Sequence, residues 1–422
     1  MQRYDSYKPS GVKWLGEIPS HWEVIKSKYL WKESFSISEN GNEELLSVSQ
    51  YDGITPAKGD SRSESLKGYK IVSENDLVIN IMLAWMGGLG VSKYDGIVSP
   101  AYCVYKLTND FNPKYLHYLY RTPLYLAEFA RHSSGVIPSR WRMYTDDFGQ
   151  VVSLLPPRKE QDAIVEYLDE KMAKTDAAIA QQQKMIDLLN ESKQIIINRA
   201  VTKGLNPNAK MKDSGVEWIG EVPEEWEVLA LKYIIRPKKK LVGRNSKNYD
   251  LLSLSLKGII KRDMDNPDGK WPASFDTYQE VLPGDFIFCN FDNEETPRAV
   301  GLSSFKGMIT GAYDVMYCFN KNVDTQYLLY YLLYIDNGKR FKPLYKGLRK
   351  TVPIDSLMRF KIPIPPMKEQ VELVNRLVSQ TRKIDGIIQS VSNQISLLQE
   401  RKQIIINEVV TGKVMVCKEK GK

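Results

Sequence analysis

The most regular pattern in the chain lies along two stretches whose apolar residues recur at alternating steps of three and four. The first runs through Met172, Thr175, Ile179, Gln182, Ile186, Leu189, Lys193, Ile196 and Ala200. The second, 209 residues later, runs through Thr381, Ile384, Ile388, Val391, Ile395, Leu398, Lys402, Ile405 and Val409. Such spacing keeps one narrow seam on one face, which predicts two long helices in one register. A seam this narrow needs a partner helix. The expected packing is a two-stranded coiled coil, with Met172, Ile179, Ile186, Leu189 and Ile196 against Ile384, Ile388, Val391, Ile395, Leu398 and Ile405. Pairing of each helix between chains is the alternative. Lys193 and Lys402 interrupt the seam at equivalent places, where a polar group lowers stability and can fix register, or can snorkel from the edge.

The offset of 209 recurs elsewhere. PPRKEQ at 156–161 matches PPMKEQ at 365–370, and KQIIIN occurs at 193–198 and at 402–407. Upstream, SGVKWLGEIPSHWEVIKSKYL at 10–30 and SGVEWIGEVPEEWEVLALKYI at 214–234 are identical at 12 of 21 positions, with an offset of 204. A period near 200 means a duplicated domain, not a solenoid. The predicted order is a head at 1–156, a long helix at 157–203, a linker at 204–213, a second head at 214–364, a second helix at 365–411 and a basic tail at 412–422. Trp14 and Trp22, with their repeats Trp218 and Trp226, read as packing anchors.

Between these matched ends the two copies diverge. DLVINIML at 76–83 and GIVSPAYCVYKL at 96–107 read as strands joined through Trp85-Met86-Gly87-Gly88, and DFIFCNF at 285–291 with GMITGAYDVMYCF at 307–319 occupies the corresponding place. Both middles then turn helical, through NPKYLHYLYRTPLYLAEFARH and DTQYLLYYLLYIDNGKRF. Each head is therefore a mixed α/β unit and the whole an α+β chain. If the copies pack alike about a local pseudo-twofold, their long helices run antiparallel and carry the two heads to opposite ends of the coil.

Composition narrows the function. A chain of 422 residues with 42% hydrophobic residues can bury a core in each of two or three domains. Its 59 Lys and Arg against 51 Asp and Glu leave a net charge of +8, which suits a polyanion. The polar start and the lack of an apolar run of about 18 residues point to a cytoplasmic chain without a membrane span. Cys103, Cys289, Cys318 and Cys417 form no close pair and only three histidines are present, so neither a disulfide framework nor a zinc site is expected. No phosphate-cradling glycine loop occurs, and neither Pro-Pro pair carries the polar and aromatic neighbours of a base amino-methylating tetrad.

Basic and aromatic residues gather in loops after the head helices. In the second copy these are Lys339, Arg340, Lys342, Lys346, Arg349 and Lys350, interleaved with Phe341 and Tyr345. The first copy has Arg131, His132, Ser133, Ser134, Arg140, Trp141, Arg142 and Tyr144 around Gly135. Earlier loops add Lys58 and Arg62, then Lys257, Lys261, Arg262 and Lys270. Such clusters neutralise phosphates and leave a few side chains for base edges, although each can also be a solvated face. A denser run, Arg236 to Lys247, reads either as a phosphate-contacting edge or as a solvated loop. The seam from 172 to 200 rises about 42 Å at ~1.5 Å per residue, a little over one ~34 Å turn of B-form DNA. The coil could thus act as a ruler between two DNA-reading heads.

With its WLGEIPSHWE and WIGEVPEEWE openings, GIVSPAY, PPRKEQ and PPMKEQ before the long helices, and the paired KQIIIN segments, the chain resembles the specificity subunit of type I restriction-modification systems. The resemblance runs over nearly the whole length. It implies a non-catalytic reader of double-stranded DNA with two target recognition domains, each reading half of a bipartite asymmetric site, separated by an antiparallel coiled coil that sets the spacer. It also implies assembly with two modification subunits and with restriction subunits. S-adenosylmethionine, ATP and Mg are then expected on those partners, with no cofactor bound by this chain. GMITGAY at 307–313 is the weaker match, with Gly311 where the first copy has proline. A stand-alone DNA methyltransferase and a coiled-coil scaffold that reads no DNA are the competing readings.

Overall fold

A computed structural model of the chain describes residues 2–59, 65–137, 140–263, 272 and 274–416. The chain divides into two compact units, Met1–Gln183 together with Ser392–Lys422, and Lys184–Val391. Both combine helices with mainly antiparallel sheets, an α+β architecture. Among the described residues, no helix is long and apolar enough to cross a membrane.

In the first unit a four-stranded antiparallel sheet has the order Trp31–Ser34, Tyr102–Leu107, Leu77–Asn80, Leu89–Val91. Its central strand is apolar at successive positions because both faces are covered. Leu77 and Ile79 enter a core with Tyr115, Leu116 and Leu119, while Val78 joins Leu46, Val48 and Val98 on the other side. Helices Pro113–Tyr120 and Pro123–Arg131 follow, each starting with proline after a capping side chain, Asn112 or Thr122. Those caps take up backbone N–H groups that the helix cannot satisfy itself.

The segment read as one strand over 96–107 is two. Gly96–Val98 pairs with Lys70–Val72, and Tyr102–Leu107 joins the central sheet. A turn around Pro100 separates them, with Tyr102 N donating to Ser99 O. Trp85 to Gly88 accordingly lead back to Leu89–Val91, the neighbour of Leu77–Asn80, and not to the later strand. In the second unit, Gly307–Ile309 and Asp314–Cys318 are split in the same way.

The second unit's sheet has the order Ile235–Pro237, Asp314–Cys318, Asp285–Phe288, Val300–Leu302, and helix Thr325–Asn337 packs in the same core cluster. A further sheet runs Gly258–Lys261, Asp250–Ser255, Gly307–Ile309, Gln279–Val281, with a parallel pair between its two central strands.

The motif after each Pro-Pro pair ties the long helix to its head. In the first unit, Trp22 Nε1 donates to Glu160 Oε1 at 3.1 Å. Next to it, Gln161 accepts from Asn112 N at 2.8 Å and donates to Pro156 O at 2.8 Å. In the second unit, Trp226 Nε1 donates to Glu369 at 2.9 Å. Gln370 accepts from Asp324 N at 2.8 Å and donates to Pro365 O and Asn322 O at 2.8 and 2.9 Å. Both tryptophans and both glutamines are fully buried. Burial pushes the Glu369 carboxyl up, against the pull of the Trp226 hydrogen bond.

The long helices span Arg158–Lys203 and Met367–Val410. Each seam position is buried or half-buried, and most of the residues flanking it are exposed. Within the first unit, Lys402 Nζ donates to both carboxylate oxygens of Asp176 at 2.6 and 2.8 Å, and Gln182 donates to Gln394 at 3.2 Å. Higher numbers on one helix thus meet lower numbers on the other. Within the second unit, Lys193 makes the same pair of bonds to Asp385. Each helix ends at a left-handed glycine pressed on the anchoring tryptophan. A Cβ on Gly204 would lie 3.3 Å from Trp226, and one on Gly412 would lie 3.2 Å from Trp22.

Two connecting segments are more ordered than their composition suggests. Within the expected linker, Met211–Asp213 is a strand paired with Glu221–Pro223. The tail begins as packed chain, since Met415 N donates to Gln2 O and Tyr7 donates to Gly412 O. Residues 417–422, with Cys417, lie outside the described residues.

A hairpin of Leu46–Ser49 and Gly53–Pro56 is anchored from the helix Pro113–Tyr120 and its C-cap. There Arg121 donates to the carbonyls of Gly87, Leu89, Gln50 and Tyr51. One turn earlier, His117 Nδ1 accepts from Val91 N at 3.1 Å. That acceptor role requires a neutral ring, and burial together with the Arg121 charge pushes its pKa down to about 3 from 6.5. A depressed folded value means that protonation favours the unfolded chain. Stability from this group is complete above about pH 6.5 and declines as pH falls toward 3. Urea midpoints measured across that window should fall more steeply for the native chain than for His117→Phe; parallel curves would refute a neutral, hydrogen-bonded histidine.

The glutamine clamp generates a second expectation. Gln370→Ala leaves one N–H and two carbonyls without their partner, and should destabilise the second unit by roughly 2–4 kcal/mol. Urea denaturation followed by tryptophan fluorescence would show this, and a change below about 0.5 kcal/mol would remove the clamp's role.

Candidate nucleic-acid interface

The basic loops are built from the sheets upward. In the first unit the backbone of Met143 donates to Ile81 O at 3.0 Å, and Trp141 packs edge-on against Trp85 at 5.3 Å. This fixes a loop that is closed by a bridge between Ser134 and Arg142. In the second unit Val352 N donates to Asn290 O at 2.8 Å and Asp292 N donates to Arg349 O at 2.6 Å. Here the bridge closing the loop joins Lys346 and Thr351. In both units the segment after the sheet's central strand therefore supports the loop that precedes the last strand.

The second unit's cations expected to bind DNA fall into three groups. Lys339 donates to Asp336 and to Thr296 O, at 3.1 and 2.7 Å, and Arg340 lies over the Tyr334 ring at 3.9 Å while donating to Tyr334 O. Asp336, only 3% exposed, also accepts from Ala299 N. Lys339 and Arg340 therefore serve the fold. Lys342 pairs with Glu294 at 3.0 Å. Arg349 pairs with Asp292 at 2.6 Å and lies over Phe291, which is itself parallel to Tyr313 at 6.0 Å. That guanidinium holds the Asp292 carboxyl below its usual range. Lys346 and Lys350 are exposed.

In the first unit, Arg131 and His132 both engage Glu128, at 2.6 and 3.1 Å. Burial raises the Glu128 pKa, but these partners outweigh it and hold the carboxyl low. Ser133 donates to Phe129 O and finishes its helix. Ser134 and Arg142 form the bridge, Arg142 also donates to Trp141 O, and Arg140 and Tyr144 are exposed.

Of the earlier loops, Lys58 and Lys257 are exposed and Lys257 sits in a hairpin turn. Lys261 pairs with Asp250 and lies over Phe305, while Arg262 N donates to Leu251 O. Arg62 and Lys270 lie outside the described residues. The run from Arg236 to Lys247 is partly inside the fold. Lys238 reaches Asp285 at 2.8 Å and Glu280 at 3.7 Å, and Lys240 reaches Glu280 at 3.0 Å. Burial opposes ionisation of Glu280, yet Lys240 and Tyr249 keep its carboxyl low.

A search keyed to charge passes over two strongly exposed aliphatic residues. Val136 is 95% exposed and Leu348 is 100% exposed, each just after the glycine of its loop. The signal was present as Gly-aliphatic beside Arg or Lys. Among the described residues the loops offer cations and apolar tips, which suits phosphate neutralisation and base-edge contact.

Residues 306–397 match the family model described as the type I restriction modification DNA specificity domain. The chain is 25% identical to a putative type I restriction enzyme MjaX specificity subunit of Methanocaldococcus jannaschii, over 95% of this chain and 96% of that one. It is 27% identical to the MjaVIII specificity subunit of the same organism over 62% of each. Among solved structures, a chain described under complex assembly and conformational transition of the type I R-M system has the same fold. Its TM-score is 0.66 at 13% identity, covering 94% of this chain and 99% of that one.

The exposed lysines and Lys339 should separate by mutation. Lys346→Ala and Lys350→Ala should leave stability within about 0.5 kcal/mol, weaken duplex binding and lower the salt slope by about one each. Lys339→Ala should instead destabilise the fold by about 1–3 kcal/mol through the loss of an Asp336 partner. Fluorescence anisotropy at several salt concentrations, alongside urea denaturation, measures both quantities; an undiminished slope in the Lys346 and Lys350 variants would remove them from the interface.

Proposed function

The chain belongs to the family of type I restriction-modification specificity subunits, and we propose that it directs methylation and restriction by reading one half of a bipartite, asymmetric DNA site with each unit. The observation that carries this reading is the duplication itself. Two heads are clamped to their long helices by the same Trp, Glu and Gln contacts, yet present different loops. Keeping a scaffold while changing its basic loops suits two readers of different sequence.

On this reading the long helices form an antiparallel two-helix coil, supported by the Lys402–Asp176 and Lys193–Asp385 pairs at equivalent places in the repeat. The coil sets the number of unspecified base pairs between the half-sites. The chain itself is non-catalytic. Two modification subunits bind S-adenosylmethionine and transfer the methyl group to adenine, and restriction subunits use ATP and Mg. A stand-alone DNA methyltransferase is disfavoured by the missing amino-methylating tetrad, and a scaffold that reads no DNA is disfavoured by the exposed basic residues on the loops of both units.

The test is methylome sequencing of a methylation-free host that expresses the chain with its modification subunit, after the two are shown to co-purify. A bipartite adenine-methylation motif should appear only when both are present. An assembled complex with no new methylation and no sequence-selective duplex binding would overturn the reading.

A further inference from the structure

Both units present an aliphatic side chain at the same place on the same loop. The bridged residue is followed by glycine and then by the aliphatic: Ser134-Gly135-Val136 in one, Lys346-Gly347-Leu348 in the other. The glycines are required. A Cβ on Gly135 would lie 2.5 Å from Arg140 O, and Gly347 has a φ of 68°. Val136 and Leu348 are almost wholly exposed, which leaves each with nothing to gain inside its own head.

Residues flanking both tips make internal contacts. Behind Leu348 stand the Arg349–Asp292 ion pair, the Phe291 ring under Arg349, and the backbone bond from Asp292 to Arg349. Behind Val136 stand the Trp85–Trp141 contact and the Met143 to Ile81 bond. Holding an apolar tip in a fixed conformation removes the ordering cost of a contact made there. The surroundings choose the partner. Leu348 is flanked by Lys346, Arg349 and Lys350, and Val136 shares its loop with Arg140 and Arg142. A polyanion fits the rims, and the groove of a duplex supplies apolar surface between its phosphates, chiefly the thymine methyl group.

Resting on the reading of these units as DNA readers, we propose that Leu348 and Val136 are specificity-determining residues that make apolar contact with base edges, each within its own half-site. Loop size then separates the two readers. Four residues lie between the bridge partners Lys346 and Thr351, against seven between Ser134 and Arg142, so the two tips are carried by loops of different length.

The test uses the full chain in complex with its modification subunit and a pool of duplexes carrying every single-base variant of the bipartite site, with methylation counted by sequencing. The wild-type complex sets the reference. Leu348→Ala should lower discrimination about fivefold to tenfold at one or two adjacent positions of one half-site and leave the other unchanged. Val136→Ala should do the same in the opposite half. Replacing thymine by deoxyuridine at the affected position should cost the wild type that factor and the variant little. The salt dependence of binding should not change, whereas Lys350→Ala should lower it without altering base preference. Unchanged discrimination at every position in both alanine variants, or a uniform loss with a shallower salt slope, overturns the inference while leaving the DNA-reader function intact. A wild-type complex with no bipartite preference overturns the function itself.

Discussion

The hydrogen bonds of Gln161 and Gln370 are the constraint from which the rest of each unit is arranged. A fully buried amide must satisfy its donors and acceptor inside the protein. Each does so by holding the proline carbonyl that starts the long helix and the backbone N–H that caps a head helix. The neighbouring glutamate takes the indole N–H of the tryptophan from the opening segment. Three separated stretches of chain are thereby fixed at one point. The direction in which the long helix leaves its head follows from that point.

Because the clamp uses Trp, Glu and Gln side chains that both copies share, the loops beyond it are free to differ. The order of the main four-stranded sheet is the same in both units, and so is the support given to the last loop by the segment after one of its central strands. What varies is the chemistry of that support, an indole pair in one unit and an ion pair over an aromatic ring in the other. The energetics favour such exchange, since loop surfaces contribute little to stability and can change without loss of the core.

Charge alone is a poor guide to which cations face a ligand. Within one basic run, Lys339 and Arg340 close internal contacts, Lys342 and Arg349 form ion pairs near the surface, and Lys346 and Lys350 point to solvent. A lysine beside a buried carboxylate such as Asp336 lowers the cost of burying that charge. The half-exposed pairs on the long helices do something else. They contribute little energy, but placing each seam lysine against an aspartate gives a polar residue one favourable register.

The long helices were legible in the sequence by itself, because a seam at steps of three and four over 28 residues is a purely local signal. Internal matching likewise revealed the duplication and the tryptophan anchors, and the shared PPRKEQ and PPMKEQ motifs pointed to the family. It did not reveal why those motifs recur, since the clamp joins residues 138 and 143 positions apart. It read 96–107 as one strand because apolar and small residues dominate it, and only pairing with two different partners broke it. The sorting of cations and the exposure of Val136 and Leu348 were also decided by the tertiary structure. Burial and partner geometry depend on contacts distant in the chain, and no window of local sequence contains them.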